Sequence, residues 1–185
     1  GPLMDIYRDA EGGPRIPLEE EVACATARVG DAVFDVEDTG IATTLVEGIR
    51  LDLGALGKGY ALDQAVTILA NHGIERALLN AGDSTILALE PPEGDSGWIV
   101  NVGNREPIAL SLRQRAISAS GFAVKGAHIM DPRLRQPVPA RPERVWAIAP
   151  TAALSDALST AFAVMTRAET VAFCSGQPEI VAILD

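Results

Sequence analysis

Aromatic residues make up 4% of this chain, and cysteine and histidine occur twice each. A core with so few rings is built from aliphatic side chains and alanine. Cys24 and Cys174 form no CxxC pair, which excludes a disulfide framework or a thiolate metal site. Two histidines, His72 and His128, leave little for a zinc centre. Basic residues are also short: 15 Lys and Arg stand against 25 Asp and Glu, a net charge of −10. With no basic patch, duplex nucleic acid is not the expected partner. No apolar run approaches the roughly 20 residues of a membrane-spanning helix. A chain this acidic that binds phosphate needs local help from a lysine, backbone donors or a metal.

What the chain has is 185 residues, 48% of them hydrophobic, enough for a folded core. Residues 1–17 read as a cleavage remnant (Gly1 to Leu3) and an irregular lead-in, and 18–185 as a single domain. With Met4 as the native start the protein is cytoplasmic; an exported protein trimmed at this point begins the same way. Pro17 followed by Glu19, Glu20 and Glu21 opens a helix that stops at Gly30. Ala32 to Val36 reads as a short strand or turn, and Val46 to Leu53 as a strand with Ile49, Leu51 and Leu53 on one face. A helix over about Lys58 to His72 places Ala61, Leu62, Ala65, Val66 and Leu69 on one side, with Gly73 as its stop. Ala77 to Asn80 reads as a buried strand, continued by Ser84 to Leu89. Trp98–Val102, Ile108–Leu112 and Ala116–Ser120 read as an antiparallel meander. Val145–Ala149, helices near 154–165 and 168–174, and a strand over 179–184 close the chain. The expected fold class is α+β: a mixed sheet with helices, one β-α-β unit plus an antiparallel meander.

The stretch Asp52 to Asp83 carries two glycine turns at the ends of that β-α-β unit. Gly54-Ala55-Leu56-Gly57-Lys58-Gly59 fails the P-loop pattern, because Asp52 occupies the leading position and Gly59 follows the lysine. It fails the GxGxxG fingerprint on spacing as well. Read alone, it fits both a tight strand-to-helix turn and a cradle in which bare N–H groups face a phosphate. Asn80-Ala81-Gly82-Asp83-Ser84 is a turn signal that also suits a ligand. Asp156 and Thr160 are four apart, one turn along the same helix face. A carboxylate and a hydroxyl so placed suit a hard cation such as Mg²⁺, and they equally suit an ordinary helix start. His128 lies in an apolar segment ending in Asp131-Pro132, where a hydrogen-bonded structural histidine is the common case. Cys24 and Cys174 read as small buried hydrophobes.

Taken together, these motifs resemble the FAD:protein FMN transferase (ApbE) family. DLGALGKGYALD is similar to its strand-loop-helix signature, LLNAGD to its Asn-Ala-Gly-Gly-Asp turn and SASG to its Thr-Ser-Gly turn. HIMDP is similar to its His-Ile-Ile-Asp-Pro, and SDALSTAFAVM to its late Asp-Ala-x-x-Thr-Ala helix. The pieces fall in the family's order over about Ala32 to Leu184. The chain differs in being short before Glu19 and in reading NAGDS where the family has NAGGD. The resemblance implies binding of FAD and Mg²⁺, cleavage of the pyrophosphate, transfer of FMN to a Thr or Ser hydroxyl of an acceptor protein, and release of AMP. It implies Gly57 (through a backbone carbonyl), Asp156 and Thr160 as metal ligands and His128 as the catalytic base. It places Lys58, Gly59, Tyr60, Asn80, Gly82, Asp83, Ser120 and Gly121 at the cofactor. A metal-dependent FAD pyrophosphatase and a non-catalytic FAD- or partner-binding homologue are the alternatives, and a homodimer is one way to complete the short pocket wall.

Overall fold

The computed structural model describes residues 1–30, 34–103, 107–122, 128–139 and 144–184, and at Asp83 the backbone. The N-terminal elements are helices α1 (Pro2–Asp5) and α2 (Glu19–Thr26) and strands β1 (Phe34–Val36) and β2 (Ala42–Thr44). Helix α3 (Gly57–Asn71), β3 (Leu78–Asn80), a 3₁₀ turn (Gly82–Ser84) and β4 (Thr85–Ala88) follow. Then come β5 (Trp98–Val102), β6 (Ile108–Leu112), β7 (Arg115–Gly121), β8 (Met130–Asp131), β9 (Gln136–Pro137) and β10 (Arg144–Ala149). Helices α4 (Ala152–Val164) and α5 (Arg167–Ser175) and strand β11 (Val181–Leu184) complete the order. None of the described helices is long and apolar enough to cross a membrane.

The chain divides into two compact units, Gly1–Asp52 with Ala127–Pro139, and Leu53–Gly126 with Ala140–Asp185. In the first, the acids at the start of α2 face its positive end, and Glu21 accepts the Leu18 N–H at 2.8 Å. The Arg15 guanidinium and that N–H hold the Glu21 carboxyl below its ordinary range. Only Ala25 of this helix is buried, so Cys24 is exposed rather than part of a core. β1 and β2 form one antiparallel pair, and β8 and β9 another. Asp131 holds the β8–β9 turn by accepting from the Arg133 amide at 2.8 Å and from its guanidinium at 2.9 Å and 3.1 Å.

That grip sets a pH dependence. Hydrogen bonding from the Arg133 side chain lowers the Asp131 pKa. A carboxylate depressed in the folded state contributes stability above its unfolded pKa of about 3.9, and that stability is lost as pH falls through the lower folded value. In a carboxyl NMR titration, Asp131 is expected to titrate with a midpoint below about 3.9, and the β8–β9 amides to shift in step. Replacement with asparagine should remove that step.

The second unit is built on a five-stranded sheet in the order β11-β10-β7-β4-β3, antiparallel throughout. Alternation along each strand divides its side chains between two faces. Ala88, Ile117, Trp146 and Ile148 pack with Val100, Val102 and Leu112 of the β5–β6 hairpin. The other face carries small residues, Ala116, Ala147 and Ala149, which let helices lie close. Leu158 and Phe162 of α4 pack there with Ala147 and Ala149, and Leu62 of α3 with Leu87, Ala116 and Ala152.

The fold class is the expected α+β, and the expected helices form within a few residues of their expected bounds. Three expectations about the strands change. Among the described residues Val46 to Leu53 pairs with no strand; Gly48, at φ +75°, breaks its alternation, and Leu51 and Leu53 are exposed. The stretch before α3 is therefore a loop and short turn. β3 is not buried: it is the sheet's outer strand with β4 as its one neighbour, and Leu78 is exposed. The meander is also interrupted, because β7 leaves the β5–β6 hairpin to pair between β4 and β10.

Candidate functional site

Register places Asn80, Gly82, Ser120 and Gly121 at one end of this sheet. Thr85 lies opposite Ser118, so moving back along β4 to the Gly82–Ser84 turn matches moving forward along β7 to Ser120 and Gly121. Gly82 takes φ +65°, a left-handed conformation that suits glycine in a turn. Asn80, at the end of β3, and Gly82 are both exposed there. Ser118 and Ser120 are two apart on β7 and share the face that meets α4.

Asp156, in the second turn of α4, is the centre of the arrangement. It is 3% exposed, and its carboxylate is met by three groups from two elements, α3 and β4. The Gly59 N–H donates to Oδ2 at 3.1 Å, the Thr85 hydroxyl donates to Oδ1 at 3.3 Å, and the Lys58 ammonium lies 3.4 Å from Oδ1. Gly59 is the third residue of α3, so its N–H is one of the amides that a helix start leaves without an internal acceptor. Asp156 fills that need from the neighbouring helix and adds negative charge at the positive end of α3. The Ser118 hydroxyl donates in turn to Thr85 at 3.3 Å.

One turn further along α4, the Thr160 hydroxyl is 3.1 Å from that of Ser120, which is also 2.8 Å from Ser159. The structure thus joins Lys58, Gly59, Ser120, Asp156 and Thr160 within one unit. Gly57, the first residue of α3, is next to Lys58, and Gly121 follows Ser120 at the strand end. Tyr60 is 57% exposed, on the outer side of the same helix turn. His128, half-buried ahead of β8, belongs to the other compact unit. The Asp83 side chain and Ala127 lie outside the described residues. His72 is exposed just after α3.

Thr85 was not singled out from sequence, and Ser118 and Ser159, though inside the SASG and SDALST motifs, were assigned no role; all three are buried. For Thr85 and Ser118 the signal is a hydroxyl on a strand among apolar neighbours, and for Ser159 a hydroxyl on the buried face of α4; together they mark a polar seam only once the strand order is known. Thr85→Val keeps the shape and removes the hydroxyl. It is expected to cost about 1–3 kcal/mol in urea unfolding, because Asp156 loses a donor and Ser118 an acceptor inside the protein. The cost should shrink in a Ser118→Ala background, where only one of those losses remains.

The ApbE family model matches residues 1–184. The FAD:protein FMN transferase of Treponema pallidum is 30% identical over 160 residues, covering 74% of this chain and 43% of that protein. Among solved structures, the Pseudomonas stutzeri flavinyl transferase ApbE (apo form) superposes with a TM-score of 0.83 at 23% identity, covering 99% of this chain and 60% of that one. The ApbE protein of Thermotoga maritima gives 0.78 at 27% identity, covering 100% and 64%. The chain spans about half the length of the curated relatives it matches.

Proposed function

This chain belongs to the ApbE family, and from that premise we propose that it is a Mg²⁺-dependent FAD:protein FMN transferase. A Thr or Ser hydroxyl of an acceptor protein attacks the FMN-side phosphorus of FAD. A new P–O bond forms, the pyrophosphate P–O bond breaks, AMP leaves, and the hydroxyl proton passes to a base. The observation that carries this reading is the convergence of Lys58, Gly59 and Thr85 on the buried Asp156 carboxylate, one helical turn from Thr160 and Ser120.

The donor set fits the cation. Asp156, Thr160, Ser120 and the Gly57 carbonyl offer oxygen only, and among the described residues no three His, Cys, Asp or Glu gather to hold a metal. One carboxylate with neutral oxygens suits Mg²⁺, which keeps several waters and shares substrate phosphates. In this reading Asp156, Thr160 and the Gly57 carbonyl hold it. Bound there, Mg²⁺ polarises the phosphoryl oxygens and offsets the charge that builds as the pyrophosphate breaks.

The chain's own residues do the rest. Lys58 brings a cation to the start of α3, where the protein's negative charge would otherwise repel a pyrophosphate. The turn Gly82–Ser84 and the strand end Ser120–Gly121 present backbone and hydroxyl donors toward the same end of the sheet. Tyr60 offers an exposed ring on the first turn of α3, and the base for the acceptor hydroxyl is assigned to His128 from the family resemblance alone.

Incubation with FAD, Mg²⁺ and a threonine-bearing target protein should give covalent flavin fluorescence on the target and one AMP per flavin attached. AMP release without a target would replace transfer by FAD hydrolysis. No thermal shift with FAD and Mg²⁺ would remove flavin binding altogether.

A further inference from the structure

Helices α3 and α4 cap one another. Asp156 of α4 accepts the Gly59 N–H at the start of α3. In return, Asp63 of α3 accepts the N–H groups of Ala152 and Ala153, the first two residues of α4, each at 2.9 Å through separate oxygens. Gly59 and Asp63 are four apart and lie on one face of α3, and Ala152 and Asp156 are four apart on α4. The helices therefore run antiparallel, with a carboxylate from each seated at the other's N-terminus. Both ends carry partial positive charge, so both contacts are charge-assisted. Thr151 caps the next amide, Leu154, at 3.3 Å, so the start of α4 has its donors satisfied through its first turn.

We propose that Asp63 is a positioning residue for the cation site: it sets how far α4 is advanced along α3, and so where Asp156 and Thr160 stand relative to Gly57 and Lys58. This rests on the metal reading above. Asp63 itself is engaged by α4 on both oxygens, and its partners are two backbone amides rather than a ligand. Its effect on the site passes through the helix: Asp156 lies one turn beyond Ala152, and Thr160 two turns beyond. When the Asp63 cap is lost, α4 keeps its packing on β7 and β10 but loses the register that brings Asp156 to the start of α3. Partners that orient the ligands of a metal site in this way typically contribute about 10–100-fold in affinity.

Mn²⁺ affinity of the FAD-free protein, read by electron paramagnetic resonance well below the melting temperature, tests this without any turnover. Asp63→Ala is expected to weaken Mn²⁺ binding by about tenfold or more. Asp63→Asn keeps one acceptor oxygen for one of the two amides and should fall between that variant and the unaltered chain. Thr166→Ala, which removes the cap of α5 and lowers stability elsewhere, should leave Mn²⁺ affinity unchanged. Unaltered Mn²⁺ affinity in Asp63→Ala would overturn the proposal, as would an equal loss in Thr166→Ala, since general loosening would then suffice. Absence of Mn²⁺ binding by the unaltered chain would overturn the metal reading itself, and the role of Asp63 with it.

Discussion

Asp156→Ala is expected to lower FMN transfer by about 10²–10³-fold, the order seen when a charge-stabilising group is removed from a reacting centre. The same carboxylate meets an α3 amide, a strand hydroxyl and the Lys58 ammonium, and is assigned to the cation as well. Truncation removes all of these at once. The Gly59 N–H returns to being an unfilled helix-start donor, and Thr85 keeps its hydroxyl with no carboxylate to receive it. Stability should therefore fall together with activity, and the two effects need separating. Asp156→Asn retains the size and one acceptor oxygen but not the charge. It should recover most of the stability and little of the transfer, because a neutral amide is a poor ligand for Mg²⁺. Transfer is read as flavin fluorescence on the target, and stability as the urea midpoint. Near-normal transfer by Asp156→Ala would remove Asp156 from the site.

The second large effect is on the fold. A methyl group at Gly59 would stand 2.1 Å from the Ala152 carbonyl oxygen, 2.4 Å from its carbon and 2.6 Å from the Ala153 nitrogen. These are backbone atoms of the neighbouring helix, so no side-chain rotation relieves the overlap. Gly59→Ala must push α4 away from α3, and it is expected to cost about 3 kcal/mol or more in urea unfolding, at or above the upper end of ordinary overpacking. The displaced helix carries Asp156 with it, so Mg²⁺-dependent transfer should be lost even in the fraction that folds. Gly57 is the internal comparison. A methyl there would meet only Leu53 Cβ at 3.7 Å, ordinary contact, so Gly57→Ala should be tolerated in stability. The two glycines, two residues apart in one motif, are thus predicted to differ sharply, and only Gly59 is glycine for the sake of packing.

The local features visible in the chain are those set by neighbours in sequence. Apolar spacing from Leu62 to Leu69 marked α3, and Gly73, at φ +71°, ends it as a glycine stop should. The acids after Pro17 marked α2. Val46 to Leu53 was misread because alternation is a property of the strand alone, while a strand also needs a neighbour, and among the described residues this stretch has none. β3 was read as buried from its apolar residues, but burial depends on position in the sheet, and β3 lies at its edge. Cys24 failed in the same way: α2 buries one narrow stripe, and the cysteine is off it.

The site divides along the same line. By itself the sequence determined the fold class, the helix-forming stretches, and the pairing of Asp156 with Thr160 on one helix face, since four residues make about one turn. Tertiary structure alone decided that Asp156 meets Gly59, 97 positions away in the chain, and that Thr85 and Ser118 lie beneath it. It alone revealed Asp63 as the reciprocal cap of α4. The reason is physical. Helical periodicity is written in adjacent residues, whereas strand order and helix-on-helix register follow from which surfaces pack together, and no local pattern encodes that choice.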